Sequence, residues 1–398
     1  MNLPDTARSS IAYSLLTLSD GALRMLVLFH CATLGYSALD LAVIFAGYEA
    51  AGVITNSVAG RAAGRMGMRR TMTLGLTLQT LVLLLLAVSP VFPSLWVLFV
   101  LQGAAGVAKD LTKVSAKSTV AVHAGDEHLF RLIALVTGAK NAVKGVGFFL
   151  GAGLFWAVGA QITLIALAIV VAIGLLLSMS QRENTRDLAL MQSEGILSRI
   201  ASVNILSVAR LFLFGSRDIW LSIGMPLYFA TAPGWGFWQS GAVMAGYTIA
   251  YGVIQAVTPR ILNGRPAPAG GTTALITVIP LVISGAVAAA VWQGVLPVWG
   301  MVAAIGVFSA AFAVASSLHS YLIAAYAQQA QVAKNIGLYY SANALGRLAG
   351  VLISGYCYVN WGILGCLIGA TIFAVPAVLS ALPLPAPVGT ISVKAATE

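Results

Sequence analysis

The sequence predicts an all-α membrane protein: twelve transmembrane helices in two pseudo-symmetric six-helix bundles. Three observations predict it, namely the hydropathy of the chain, the one-sided placement of its loop charges, and an internal repeat. Of 398 residues, 59% are hydrophobic and 9% are charged, and mean hydropathy is +0.92. A chain of that composition takes hydrocarbon rather than water as its main solvent.

A crossing of ~30 Å of hydrocarbon needs about 20 apolar residues, and only a helix or a closed barrel satisfies the backbone there. Twelve apolar stretches of that length occupy residues 10–33, 38–60, 70–88, 95–120, 130–156, 161–180, 202–230, 237–258, 272–291, 297–325, 335–357 and 362–383. The first carries Asp20 and Arg24 and lacks a small-residue cleavage site, so it is expected to be retained rather than removed as a signal peptide.

Thirteen of the twenty-two basic residues fall in loops and tails, all on the side of the amino terminus, and the six opposite loops contain no Lys or Arg. The positive-inside rule then puts both termini in the cytoplasm of a cell whose inner (plasma) membrane holds the protein. An even number of crossings agrees with that placement. The net charge of +10 is accounted for in this way, and no nucleic-acid partner is expected. Cys31, Cys357 and Cys366 have no metal-type spacing, so neither a metal site nor a disulfide is expected. No cofactor is expected either.

The one long internal polar stretch, QRENTRDLALMQSEGILSRIAS, divides the spans six and six. The expected domains are an amino-terminal bundle over 1–180, a cytoplasmic connector over 181–201 and a carboxy-terminal bundle over 202–398. The halves resemble each other. AGYEAAGVITNSVAGR at 46–61 aligns with AGYTIAYGVIQAVTPR at 245–260, and Asp20 with Asp218 at nearly the same offset. Such symmetry is expected of two bundles facing each other across a central cavity.

Ionisable side chains inside the spans are the most informative residues, since each costs about 2.5–3.5 kcal/mol on insertion scales. The basic ones are Arg24, Lys109, Lys113, Lys117, Lys140, Lys144, Arg210, Arg217 and Arg347, and the acidic ones are Asp20, Glu49, Asp110 and Asp218. Most lie near span midpoints. Helical spacing puts Asp20 with Arg24, Lys109 with Lys113 and Lys117, Lys140 with Lys144, and Arg210 with Arg217 on shared faces.

Arg24, Lys109, Lys113, Lys140, Lys144, Arg217 and Arg347 are the expected binding residues for a small anionic substrate, which would absorb the surplus positive charge through Lys point charges and Arg forks. The acids are expected to be internal partners or coupling groups. Asp20–Arg24 and Arg217–Asp218 are candidate ion pairs. Glu49 is either protonated, paired across helices, or a proton carrier. Lys117 and Arg210, nearer the cytoplasmic end, have snorkelling to the surface as at least an equal alternative.

Small-residue spacings in GVGFFLGAG at 145–153 and at Gly346 and Gly350 predict close helix packing. Trp96, Trp156, Trp235, Trp238 and Trp361 sit near span ends as interfacial anchors.

The loop GRAAGRMGMRR, residues 60–70, resembles the signature of the major facilitator superfamily. Gly60, Arg65, Gly67, Arg69 and Arg70 fit it, whereas Gly64 stands where the family has an acid and Met68 replaces a basic residue. On that resemblance this loop is an expected gating element. Four further strings, LSDGALRMLVLFH at 18–30, GVAKDLTKVSAKS at 106–118, TGAKNAVKGVGFFLGAG at 137–153 and ARLFLFGSRDIW at 209–220, resemble the organoarsenical efflux permeases of that superfamily.

The resemblance implies the major facilitator fold, alternating access, and export of 1-arseno-3-phosphoglycerate in arsenate resistance. It also implies a functional link to a glyceraldehyde-3-phosphate dehydrogenase. A monomer with no catalytic residues, embedded in the lipid bilayer, is expected. Three alternatives stand beside this reading. One is a carrier for another organophosphate or organic anion, one is a non-transporting sensor, and one is a membrane enzyme built on His123, Asp126 and His128.

Overall fold

The computed structural model describes residues 4–88, 94–122, 129–181, 198, 200–262, 270–326 and 332–386. Eleven helices run through them: α1 (Asp5–Thr33), α2 (Ala38–Met66), α3 (Met68–Val88), α4 (Leu95–Val122), α5 (Leu129–Met179), α6 (Ala201–Leu221), α7 (Gly224–Thr231), α8 (Phe237–Leu262), α9 (Gly270–Trp292), α10 (Val298–Tyr326) and α11 (Val332–Ala381). Among the described residues, nine helices are long and apolar enough to cross a membrane.

Two of these, α5 and α11, are each a pair of crossings joined at a single residue. Gly159 (φ 79°, ψ 177°) and Gly362 (φ 60°, ψ −153°) hold backbone conformations that only glycine adopts without strain. The four-residue loops expected at 157–160 and 358–361 are therefore one-residue reversals. The remaining crossing is α6 followed by α7, which carries Arg210, Arg217 and Asp218. It was expected as one continuous helix, but it breaks at Ser222–Ile223, next to those charges. Twelve crossings result.

A similar economy joins α2 to α3. Gly67 has φ 89°, and the amide and hydroxyl of Thr71 both donate to its carbonyl. This is the tight turn that the basic loop motif predicts. Arg69 is half-buried there and Arg70 exposed, whereas the side chains at Gly60 and Arg65 lie outside the described residues. So do His123, Asp126, His128, the side chain of Lys117 and nearly all of the expected connector.

Close packing follows the small residues. A Cβ on Gly147 would strike the Leu18 carbonyl and one on Gly151 the Ala22 carbonyl, so the first limb of α5 lies backbone to backbone on α1. In the second half, Gly346 meets the Leu211 carbonyl and Gly350 that of Gly215, setting α11 on α6 in the same way. These matched contacts fix the register of the repeat. Ala22 is equivalent to Gly215 and Leu18 to Leu211, which places Arg24 opposite Arg217, whereas the offset read from sequence pairs Asp20 with Asp218.

The two halves meet along two seams related by the same symmetry, α5 with α8 and α2 with α11. Gly138, Gly145, Gly241 and Gly252 line the first seam, each too close to the opposing helix to carry a Cβ without displacement. Asn141 Nδ2 donates to Gln255 Oε1 across it at 2.7 Å. In the second seam, Gly355 packs on Ala38 and Ala42 at the end remote from the amino terminus. On that same side Phe237 stacks on Phe29 and meets Phe155 at a tilt, with ring centroids 4.9 and 5.8 Å apart.

Lipid takes the remaining faces. Large apolar side chains on α3 (Leu74, Leu81, Leu85), on the second limb of α5 (Ile162, Ile169, Leu176) and on α9 (Leu275, Val282) are exposed, as are the span-end indoles Trp96, Trp156 and Trp361. Trp235 differs: it stacks on Phe229 at 5.2 Å and faces protein.

Replacing Gly151 with Leu is expected to separate α5 from α1 and destabilise the fold by at least ~1–3 kcal/mol. Gly153→Ala, where a Cβ meets nothing within 4 Å, is expected to be neutral or stabilising. Thermal unfolding of the two variants in the same detergent checks the pair.

Candidate functional site

A cavity of about 250 Å³ lies between the halves. Its wall is drawn from α1, α2, α4, the first limb of α5, α6, α8, α10 and the first limb of α11. Lining positions such as Tyr13, Thr17, Lys140, Gln255, Ser320 and Tyr340 extend towards the amino-terminal side. The opposite side is where the phenylalanine stack and the Gly355 contact close the seams. The cavity thus reaches from mid-membrane towards the side on which the chain begins.

All seven residues expected to bind an anion line this one cavity: Arg24, Lys109, Lys113, Lys140, Lys144, Arg217 and Arg347. The four carboxylates Asp20, Glu49, Asp110 and Asp218 line it too. Arg210 is the eighth cation in the wall. It does not snorkel: it is 5% exposed, and its Nη1 donates to Ser316 O at 2.9 Å and to Ser316 Oγ at 3.1 Å on α10.

Carboxylates in such surroundings need partners, and each has them. Asp20 accepts from Lys144 Nζ at 2.9 Å and from the Tyr48 hydroxyl at 2.5 Å. The expected Asp20–Arg24 pair is absent from the ion pairs of the described residues. Arg24 points instead to Glu49, at 3.3 Å, with its guanidinium 4.8 Å over the Phe45 ring. One turn separates Asp20 from Arg24, but the two side chains reach different helices. Asp110 holds Lys113 at 2.6 Å and Lys109 at 3.8 Å, and takes a further hydrogen bond from Thr55 Oγ1 at 2.7 Å. Lys109 also lies 4.0 Å over the Tyr48 ring.

Arg347 joins the halves. Its Nη2 reaches Glu49 Oε1 at 2.5 Å on α2, and its Nε reaches Asp218 Oδ2 at 3.1 Å on α6. Arg217 binds the other oxygen of Asp218, with both Nε and Nη2 at 2.6 Å. A continuous chain therefore runs Arg24–Glu49–Arg347–Asp218–Arg217. Of the three states open to Glu49 from sequence alone, the structure shows pairing across helices. A guanidinium is suited to this junction because its fork presents donors in two directions at once, which an ammonium cannot do with fixed geometry.

Sequence spacing found the charges but not the neutral wall between them. Tyr247, Tyr251, Tyr339, Asn343 and Ser317 also line the cavity. In the sequence they are indistinguishable from core aromatics and helix-packing serines. Only Tyr339 and Asn343, at helical spacing from Arg347, carry a faint signal of a shared face.

A polar, cation-rich cavity between two six-helix bundles defines a membrane transport protein rather than a soluble binder. The sequence profile of the Major Facilitator Superfamily matches residues 9–319, and the chain belongs to that superfamily. Among solved structures, it is similar to the crystal structure of the human organic anion transporter MFSD10 (TETRAN). The TM-score is 0.70 and the identity 16%, over 96% of this chain and 100% of that one. No curated protein sequence matches the chain.

The Arg347 bridge predicts non-additive energetics. Arg347→Gln leaves Glu49 and Asp218 under-compensated, and is expected to cost about 3 kcal/mol or more. Adding Glu49→Gln should recover part of that loss. A double-mutant cycle on thermal unfolding measures it, and simple additivity of the two losses would contradict the bridge.

Proposed function

We propose that the protein exports a small organic anion by alternating access, and that the cargo is 1-arseno-3-phosphoglycerate, as part of arsenate resistance. The observation that carries the anionic part is the charge of the cavity wall: eight cations face four carboxylates, a surplus of four that pairing within the wall leaves uncompensated. Burial of like charges at this density is costly without a counter-ion, and a bound anion supplies one. The printed description of the similar human structure as an organic anion transporter points the same way. The arsenical itself rests on the resemblance of the strings around Arg24, Lys113, Lys144 and Arg217 to organoarsenical efflux permeases.

In this reading Lys109, Lys113, Lys140 and Lys144 present ammonium groups to one end of the cargo, with Arg24 and Arg217 flanking it and Arg347 behind. Entry of the anion competes with Asp20 and Asp110 for their lysines. The cavity lies towards the amino-terminal side, which the loop charges assign to the cytoplasm of the inner membrane, so loading occurs from inside the cell. Rocking of the halves about the α5–α8 and α2–α11 seams would expose the site to the other side. Export of an anion from a cell negative inside gains about 2.3 kcal/mol per charge per 100 mV, so uniport suffices. The protein acts on the product of a glyceraldehyde-3-phosphate dehydrogenase working with arsenate.

A carrier for another organophosphate is the second reading, favoured by the same surplus of four positive charges. Flux assays in vesicles separate them. Vesicles enclosing the dehydrogenase system should release arsenic in organic form faster than they release 3-phosphoglycerate, and equal rates would remove the arsenical assignment. Lys113→Gln and Lys144→Gln are expected to lower flux tenfold or more while the protein still inserts. Asp20→Asn combined with Lys144→Gln should restore stability but not flux. Undiminished flux in both lysine variants would sink the site assignment.

A further inference from the structure

The cavity wall is chemically lopsided. Each carboxylate belongs to an ion pair, yet five polar atoms in the wall have no hydrogen-bond partner among the described residues: Arg210 Nε, Tyr247 Oη, Ser317 Oγ, Tyr339 Oη and Asn343 Oδ1. All five come from the second half of the chain, from α6, α8, α10 and the first limb of α11. Native proteins leave few buried polar groups unpaired, and five in one wall, four of them able to donate, call for an absent acceptor.

Arg210 is the centre of this group. No carboxylate pairs with it among the described residues. Its guanidinium lies 3.8 Å from the Phe214 ring centroid and 4.9 Å from that of Tyr339. The rings occupy its faces and hold the plane, and Ser316 takes Nη1. Ser316 is itself fixed by a 2.9 Å hydrogen bond with the Tyr251 hydroxyl on α8. The result is a guanidinium fork held in place with part of its donor edge unspent, an arrangement suited to oxyanions.

Symmetry sharpens the contrast. By the packing register of the repeat, Arg210 stands where the first half has Thr17. The positions of Lys140 and Lys144 in the first half correspond to Tyr339 and Asn343 in the second, because Gly147 corresponds to Gly346. The first half thus presents ammonium groups from its fifth crossing. The second half presents a guanidinium from its first crossing, with hydroxyl and amide neighbours. Arg210 is two helical turns, about 10 Å, on the amino-terminal side of Arg217.

We infer that the second half holds its own oxyanion subsite, made by the Arg210 guanidinium with the Ser317 hydroxyl, and that the preferred cargo is an organic anion with two separate oxyanion ends, one for each half. This rests on the organic-anion reading above and specifies it. Arg210 becomes a specificity-determining residue: it selects for the second charged end, while the lysines hold the first.

The test compares two phosphate monoesters on a three-carbon skeleton, 3-phosphoglycerate with a terminal carboxylate and glycerol 3-phosphate with a hydroxymethyl group in its place. Calorimetric binding to the purified full-length protein in detergent is expected to favour 3-phosphoglycerate by about tenfold, the worth of a charge-assisted pair. In Arg210→Gln that preference should collapse to within about twofold, with glycerol 3-phosphate affinity unchanged. Arg210→Lys should retain part of the preference. Ser317→Ala, which keeps the guanidinium in place, should reduce it about threefold; it carries the test if Arg210→Gln does not fold.

A wild-type ratio near one, or an equal loss of both probes in the Arg210 and Ser317 variants, would overturn the subsite and leave Arg210 a structural clamp. If the wild type binds neither probe, the organic-anion reading fails and this inference falls with it.

Discussion

The arrangement of the interior answers one constraint: a carboxylate buried within the membrane must be paired where it stands. Glu49 shows this most directly. At 1% exposure it is almost wholly buried, and Arg24 from its own half and Arg347 from the other converge on a single carboxylate oxygen. Arg347 is in turn shared with Asp218. The two bundles could pack through their glycines alone, but the charges on α2 and α6 can be buried only if α11 brings Arg347 between them. The ion-pair chain and the bundle interface are therefore the same structure, seen once as electrostatics and once as packing.

The same constraint explains why the cavity is polar where it is. The glycines at 138, 145, 241 and 252 let α5 and α8 approach without side chains between them, which leaves the space between the bundles to be filled from α1, α4, α6 and α10. Lysines fill it from the first half alone, while arginines enter from both halves and tyrosine and hydroxyl groups line the second. Tyr48 ties two charged groups of the first half together: its hydroxyl donates to Asp20, and its ring lies under Lys109.

Much of this was legible in the sequence. Apolar length gave the twelve crossings because hydrocarbon thickness admits few other solutions. All twelve described charges expected in the interior do line the cavity, because a charge in a span has almost nowhere else to go. Partner choice was not legible. Spacing along one helix suggested Asp20 with Arg24, yet tertiary packing gave Asp20 to Lys144, more than a hundred residues away. Distance to the span end left snorkelling at least as open to Arg210 as a place in the site, and only the aromatic walls of α6 and α11 decide between them. Nor could hydropathy see the reversals at Gly159 and Gly362 or the break before α7, since all are set by one or two backbone torsions inside otherwise apolar segments.

The reversal at Gly159 carries a mechanical consequence. With one residue between two crossings there is no slack in the connection, so the limb that bears Lys140 and Lys144 and the limb that presents Ile162, Ile169 and Leu176 to lipid form a single stiff lever. Gly362 imposes the same coupling on the limb that bears Asn343 and Arg347. Any displacement at the charged cavity is thereby delivered to the outer surface of the protein. The elastic properties of the surrounding bilayer, its thickness and lateral pressure, become part of the load against which the cavity opens and closes.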